Sequence, residues 1–312
     1  MIWKEANKRF DEYGNDKIIG TNGFYAMKAH WSEHPDRNED WAEAERSRIG
    51  EERFRREHEC EFLIFDETLI SSIVLADMEG IHPVETTGQV RWFKRPTPGH
   101  TYMVSLDPSM GTGGDYAAIQ VFELPTFEQV GEWHHNQTPM NQQVRILQGI
   151  NKHIHDTIIE QDATATPQIF YSMENNTIGE AALMRVMDIG EENIMGMFLS
   201  EPIRKGHRRK FRRGFNTTAK HKIDACTKFK ELVENDKMKI NSQLLISEMK
   251  DFVASGLSYK AKPGQHDDLV SACLLMTRMM KVLADFDPKI FEKWTDRTSE
   301  ITPMPIFGSF TG

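Results

Sequence analysis

Between residues 102 and 187 the hydrophobic pattern switches between strand-like alternation and helical spacing in a fixed order, and this order limits the fold more than any other feature. Residues 102 to 106 alternate as a strand that ends at Asp107, and residues 108 to 114 (Pro-Ser-Met-Gly-Thr-Gly-Gly) turn the chain into a second strand at 117 to 122. A third strand at 129 to 134 follows a turn at Leu124-Pro125-Thr126. Residues 141 to 160 then carry Val144, Leu147, Ile150, Ile154 and Ile158 at helical spacing. Another short strand, 168 to 173, ends at Glu174, and residues 181 to 187 read as a helix. The predicted order is βββαβα, an α/β arrangement with a mixed sheet flanked by helices.

Further on, the pattern predicts a helix over about 219 to 235, a short strand at 237 to 240 and a helix over about 242 to 253. A last helix opens at His266-Asp267-Asp268 and is apolar through Leu269, Val270, Cys273, Leu274, Met276 and Met280. Upstream, residues 33 to 62 are crowded with charge and carry helical apolar spacing through Trp41, Ala44, Ile49 and Phe54. Arg95-Pro96-Thr97-Pro98-Gly99 is stiff and turn-forming, which places a domain boundary near residue 96. Residues 298 to 312 are rich in Pro, Gly, Ser and Thr and read as a loosely held tail.

With 312 residues and 39% hydrophobic content the chain can bury a full core. It has no apolar run of the roughly 18 residues a membrane span needs, and Met1-Ile2-Trp3-Lys4-Glu5 lacks a signal peptide's apolar stretch, so a cytoplasmic location is expected. The three cysteines, Cys60, Cys226 and Cys273, stand far apart and read as packing thiols. A net charge of -9 excludes a uniformly basic nucleic-acid binder. Yet residues 204 to 213 hold seven Lys or Arg in ten positions: Arg204, Lys205, Arg208, Arg209, Lys210, Arg212 and Arg213. A run this dense repels itself unless a polyanion neutralises it, which makes it a candidate DNA-backbone contact; a solvated loop is the plainer alternative.

Acids recur where core elements meet a rim. Asp107 and Glu174 end strands, and Asp267-Asp268 opens a helix whose positive end tolerates carboxylates. Taken singly, each has an ordinary structural reading as a turn, surface or cap residue. If they converge, like charges raise one another's pKa, and only a cation keeps the cluster ionised. Oxygen-only ligands favour Mg²⁺ or Mn²⁺, and two such ions can activate water against a phosphodiester. The chemistry predicted is metal-dependent hydrolysis of nucleic acid.

Asp115 and His266 are possible accessories to this cluster. His134 and His135 point to opposite strand faces and cannot share a site. Gly111-Thr112-Gly113-Gly114 lacks the lysine of a phosphate loop, and no P-loop motif occurs in the sequence, so the glycines read as hairpin residues and no ATPase site is expected.

The residues now carry a resemblance. Ser105-Leu106-Asp107 with its glycine-rich turn and Asp115-Tyr116, Tyr171-Ser172-Met173-Glu174-Asn175, Thr217-Thr218 before a helix with Lys222 and Leu232, and His266-Asp267-Asp268-Leu269-Val270 together resemble the large terminase subunit of tailed phages, T-even-like ones in particular. That resemblance implies an RNase H-like nuclease fold, with Asp107, Glu174 and Asp268 as catalytic acids and Asp267 beside them as a metal ligand.

Trp31 to Trp41, with His34-Pro35, and the stretch from Phe54-Arg55-Arg56-Glu57-His58 to Glu61-Phe62 resemble the segment that joins the family's ATPase motor to its nuclease. The implied organisation is a motor remnant and linker over 1 to 95, a nuclease domain over 96 to 290 and a tail over 291 to 312. The resemblance further implies cutting of concatemeric double-stranded DNA when packaging begins and ends, in the host cytoplasm, with the portal protein, the small terminase subunit and the motor domain as partners and ATP used only by that motor. The N-terminal Met1-Ile2-Trp3-Lys4-Glu5-Ala6 resembles a point inside the motor, so the chain is expected to be an excised piece, a split-gene product or a truncation. Two other classes remain open at this point: an actin-like or sugar-kinase ATPase, and a DNA- or portal-binding module without catalysis.

Overall fold

The computed structural model describes residues 19–20, 23–25, 27, 29–60, 67–202 and 213–286. The chain divides into two compact units, residues 1–65 and 66–312. In the first, helix α1 (Glu39–Ile49) is capped by Asn38, whose Oδ1 accepts from the Trp41 amide at 2.9 Å, and Gly50, with φ 85°, turns the chain into α2 (Glu51–Glu57). Trp31, Ala42 and Phe54 form its small buried core. Arg46 pairs with Glu59 at 2.8 Å and lies 4.4 Å over the Phe54 ring. The charged helical region read from sequence is therefore two short helices around an aromatic knot.

The second unit is built on a sheet of seven strands: β1 (Glu85–Thr87), β2 (Val90–Trp92), β3 (Thr101–Asp107), β4 (Ala117–Leu124), β5 (Glu128–His135), β6 (Gln168–Met173) and β7 (Met197–Phe198), in the order β1-β2-β5-β4-β3-β6-β7. β3, β4 and β5 pair antiparallel, whereas β6 joins β3 in parallel after the long crossover through α4 (Met140–Gln161).

Strand alternation sorts side chains to the two faces. Tyr102, Val104 and Leu106 of β3, with Ile169, Tyr171 and Met173 of β6, pack with the apolar stripe of α4 and with Leu183 and Val186 of α5 (Thr177–Ile189). The intervening residues face the other way, where α8 (Asp268–Phe286) packs on β3 and β4. Ser105 Oγ donates to the Ala272 carbonyl at 2.8 Å, pinning β3 to α8. Leu269, Val270, Cys273, Met276 and Met279 of α8 are fully buried, each worth roughly 1.5–3 kcal/mol for a large aliphatic side chain. Helices α6 (Ala219–Glu234) and α7 (Gln243–Asp251) pack against α8 in turn, and α3 (Ser72–Asp77) packs against α7. No helix of the described residues is long and apolar enough to cross a membrane.

The expected boundary near residue 96 falls inside this unit. The stretch after Asp66 contributes the β1–β2 hairpin, which pairs with β5, and the Pro96 turn is tied down by a hydrogen bond from Gln161 Nε2 to its carbonyl at 2.6 Å and by Tyr102, whose hydroxyl accepts from the Thr97 amide at 2.8 Å. The strand expected at 237 to 240 is a single bridge, Lys239 to Glu128. The helix expected to reach 253 ends at Asp251 and gives way to a hairpin of β8 (Phe252–Ser255) and β9 (Ser258–Ala261). Cys226 and Cys273 are buried free thiols, and Cys60 is partly buried and free. The tail expected over 291 to 312 lies outside the described residues.

One glycine connects the fold to the site. Gly179, in the first turn of α5, lies so close to the end of β6 that an added Cβ would stand 1.8 Å from the Glu174 carbonyl oxygen. Gly179→Ala is expected to destabilise the unit by about 1–3 kcal/mol through this overpacking. Thermal unfolding of parent and variant side by side checks it; an unchanged midpoint would show that the helix start is free to shift.

Candidate active site

Asp107 and Glu174 meet because of strand register. β3 and β6 run parallel with Leu106 opposite Met173, and the Glu174 amide donates to the Leu106 carbonyl at 3.2 Å. The next residue of each strand is the acid, both on the α8 face. Burial pushes the Asp107 carboxyl well above the usual carboxylate range, and the charges of Glu174, Asp268 and Asp267 push it further the same way. Asn176 Nδ2 donates to Glu174 Oε2 at 2.9 Å and fixes that side chain.

The acidic pair that opens α8 divides its labour. Asp267 Oδ2 accepts from the Ala261 amide at 3.2 Å, tying it to β9. Asp268 Oδ2 accepts from the Tyr116 amide at 3.4 Å and lies 3.7 Å from His266 Nδ1. Burial, then the neighbouring Asp267 charge, raises Asp268 to about 6; the Tyr116 amide and His266 oppose this, and Asp115 adds to it. Thus His266 and Asp115 both stand within electrostatic reach of Asp268, with Asp115 exposed.

Gly111 and Gly113 adopt positive φ (68° and 94°), and at Gly111 a Cβ would lie 2.2 Å from the Thr138 carbonyl oxygen, so the glycine-rich turn is a backbone requirement of the β3–β4 connection. His135 turns away to Thr138, their Nδ1 and Oγ1 being 2.7 Å apart. His134 lies on the opposite face, stacked on Tyr116 with ring centroids 4.1 Å apart.

Sequence reasoning missed Glu248. It stands on the apolar stripe of α7, between Leu245, Met249 and Phe252, and an acid at such a position is the one signal that could have found it. Its Oε2 accepts from the Val270 amide at 3.1 Å, so it caps the first turn of α8 from a neighbouring helix. Burial raises its carboxyl to about 9, aided by the charges of Asp268 and Asp267, while the Val270 and Leu269 amides pull it down. His134 lies 3.6 Å away with its pKa lowered to about 4, mainly by burial. Both groups are therefore uncharged at neutral pH, and the contact is not an ion pair.

A cavity of about 150 Å³ opens beside Asp107 and Glu174, and its other walls include Thr217, His221, Lys222, Ser271 and Arg278. Arg278 is part of a clasp: it donates to Thr217 Oγ1 at 2.8 Å, to the Asn216 carbonyl at 3.0 Å and to Glu201. Glu201 and Gly214 in turn hydrogen-bond through their backbones at 3.2 Å, and the Gly214 amide donates to Ser200 Oγ at 3.1 Å.

Of the basic run, Arg204, Lys205, Arg208, Arg209, Lys210 and Arg212 lie outside the described residues. Arg213 is described, and its guanidinium is paired with Glu191 and lies 5.9 Å from the Phe198 ring centroid. To reach DNA it would have to leave a partner that already neutralises it.

The terminase RNase H-like domain family matches residues 104–279, from β3 to α8 and including all four acids. The chain belongs to this family. Its fold is also that of the large terminase nuclease of thermophilic phage G20c in the structure with bound magnesium, at 17% identity, with a TM-score of 0.50, over 69% of this chain and 97% of that one. The cobalt-bound structure of the same nuclease aligns equally, at 17% identity, TM-score 0.50, 69% and 97%. Membership sets aside the actin-like alternative. The mixed seven-stranded sheet flanked by helices is the RNase H-like arrangement of these terminase domains.

Whether the terminase site suits a divalent cation is a matter of donors and charge. Asp107, Glu174 and Asp268 offer carboxylate oxygen, the donor set of hard cations. Burial and the neighbouring carboxylates oppose ionisation of Asp107, and a cation would relieve that opposition. Among the described residues no group of three or more His, Cys, Asp and Glu is drawn tightly enough to enclose an ion as it stands. The donor types fit a divalent cation.

Buried acids with raised pKa values make the fold hold more protons than the unfolded chain, so stability is greatest in acid and declines as pH rises through the interval between the two values. For Glu248 that interval runs from the ordinary range up to about 9. Glu248→Gln keeps an acceptor for the α8 amides and removes the titration. It is expected to gain thermal stability over the parent progressively from pH 5 to 9, which melting curves across that range measure. Parallel pH profiles would show that Glu248 is not buried as described.

Proposed function

We propose that this chain is the metal-dependent endonuclease of a phage DNA-packaging terminase, cutting concatemeric double-stranded DNA at the start and completion of packaging. The observation that carries the reading is the Asp107–Glu174 carboxyl pair at the ends of adjacent parallel strands, beside Asp268 at the start of α8, in a chain of the terminase RNase H-like family. Asp107, Glu174 and Asp268 would hold the ions, a pair of Mg²⁺ or Mn²⁺, one of which would activate water and the other stabilise the leaving oxygen. The magnesium bound in the related phage G20c nuclease supports that choice.

The chain's own residues do the positioning. Asn176 orients Glu174, the Tyr116 amide orients Asp268, and Glu248 holds the first turn of α8 that presents it. Asp267, engaged by the Ala261 amide, braces the helix start against β9 and serves as a ligand only secondarily. Arg204, Lys205, Arg208, Arg209, Lys210 and Arg212 are proposed to contact the DNA backbone. The setting is the host cytoplasm, with portal protein, small terminase subunit and an ATP-using motor domain as partners.

Plasmid incubated with the purified chain and Mn²⁺ or Mg²⁺ should be cut, and chelator should stop it. Asp107→Asn and Glu174→Gln are each expected to abolish cutting without loss of fold, and Asp268→Asn to cost more than Asp267→Asn; undiminished cutting by the first two would remove the assignment. Because metal must displace protons from Asp107 and Asp268, the metal concentration giving half-maximal cutting should climb as pH falls below about 6, the value to which Asp268 is raised.

Phosphate contacts are sequence-blind, and each contributes about 0.9 to the slope of log affinity against log salt. Arg208→Ala with Arg209→Ala is therefore expected to flatten that slope by up to about two units and to weaken binding to all DNA sequences alike. Superimposed binding curves at several salt concentrations would assign the run to a solvated loop instead.

A further inference from the structure

The cavity beside Asp107 and Glu174 is lined by a lysine whose ammonium no carboxylate among the described residues neutralises. Arg278 is engaged by Glu201, the Asn216 carbonyl and Thr217, and His221 Nδ1 is 2.9 Å from the Asn216 carbonyl. The Lys222 side chain, on the same wall, has no ion pair or hydrogen bond among the described residues. Its ammonium stands 5.6 Å from the centroid of the Phe252 ring, an aromatic face that steadies a cation without neutralising it. Lys94, Lys228 and Lys239 are, by contrast, paired with Glu123, Glu231 and Glu128.

Its position is also unfavourable for the helix that carries it. The first turn of α6 holds Lys220, His221 and Lys222 and no acid. Cations there oppose the helix dipole. An ammonium kept in a poor helical position, partly buried, unpaired and next to a carboxyl pair, matches an anion that arrives from outside.

We propose that Lys222 contacts a non-bridging oxygen of the phosphate being cut, holding the strand over Asp107 and Glu174 and offsetting the charge that builds on phosphorus-bound oxygen. This rests on the nuclease reading. In hydrolysis water supplies the new P–O bond, the ester P–O bond breaks and the leaving oxygen takes a proton; Lys222 keeps its own proton throughout and acts by charge alone.

The test uses the full chain with Lys222→Met, Lys222→Arg and, as control, Lys220→Met, an exposed lysine of the same turn that does not line the cavity. Single-turnover cleavage of duplex DNA in Mn²⁺, at saturating protein, should slow on the order of 10- to 100-fold in Lys222→Met, recover for the most part in Lys222→Arg and stay at the parental rate in Lys220→Met. Binding of the same duplex with Ca²⁺ in place of Mn²⁺ should lose about 0.9 from its salt slope in Lys222→Met. Equal cleavage by Lys222→Met and parent, or an equal loss in Lys220→Met, overturns the proposal while leaving the nuclease reading intact. If the parent itself does not cut, the nuclease reading fails, and the salt slope alone then decides: a flattened slope keeps Lys222 as a phosphate contact, and an unchanged one removes it.

Discussion

The in-register parallel pairing of β3 with β6 is the constraint on which the site depends. A slip of one residue would turn Asp107 or Glu174 onto the opposite face, into the apolar layer beneath α4. Register is held by what the strands bury: Tyr102, Val104 and Leu106 alternate with Met103 and Ser105, and both sets have neighbours that fill the space against them. The acids are thus placed by the packing of residues that take no part in chemistry.

That placement has an electrostatic cost, and the fold absorbs it in three ways. Asp107 is driven toward its protonated form by burial and its neighbours, backbone amides of Tyr116 and Ala261 support the carboxylates of Asp268 and Asp267, and Glu248 remains protonated while capping α8. Each device lowers the repulsion without removing it. A cation would supply the positive charge that these devices leave unmet. The Lys222 ammonium, which no carboxylate among the described residues neutralises, lines the same cavity as the acids.

How much of this could be read from sequence follows from the range of the forces involved. β3 to β6, with α4 and α5 among them, were legible because burial on one face imposes local periodicity. The β1–β2 hairpin was not, since Glu85, Thr86 and Thr87 are all exposed and carry no alternation. The β8–β9 hairpin was hidden because the apolar spacing of α7 runs on into Phe252. The Pro96 turn was read as a domain boundary because its anchors, Gln161 and Tyr102, announce nothing locally. Asp107, Glu174 and the Asp267-Asp268 pair were found because they end or open strong elements. Glu248 left only the trace of an acid on an apolar stripe, and Arg278 and the stack of His134 on Tyr116 arise from tertiary proximity alone.

The clasp of Arg278, Glu201 and Gly214 separates two design problems. Glu201 and Gly214, on either side of residues 203 to 212, are bonded to each other and Arg278 to Glu201, so the hydrogen bonds that hold Glu174 and Asp268 include none of those residues. Joined ends make length cheap, since doubling a flexible connection costs only about 0.6 kcal/mol of closure entropy. The length and charge between those two ends can therefore drift, or be swapped by an engineer, and the grip on a polymer can be retuned while the acids keep their places.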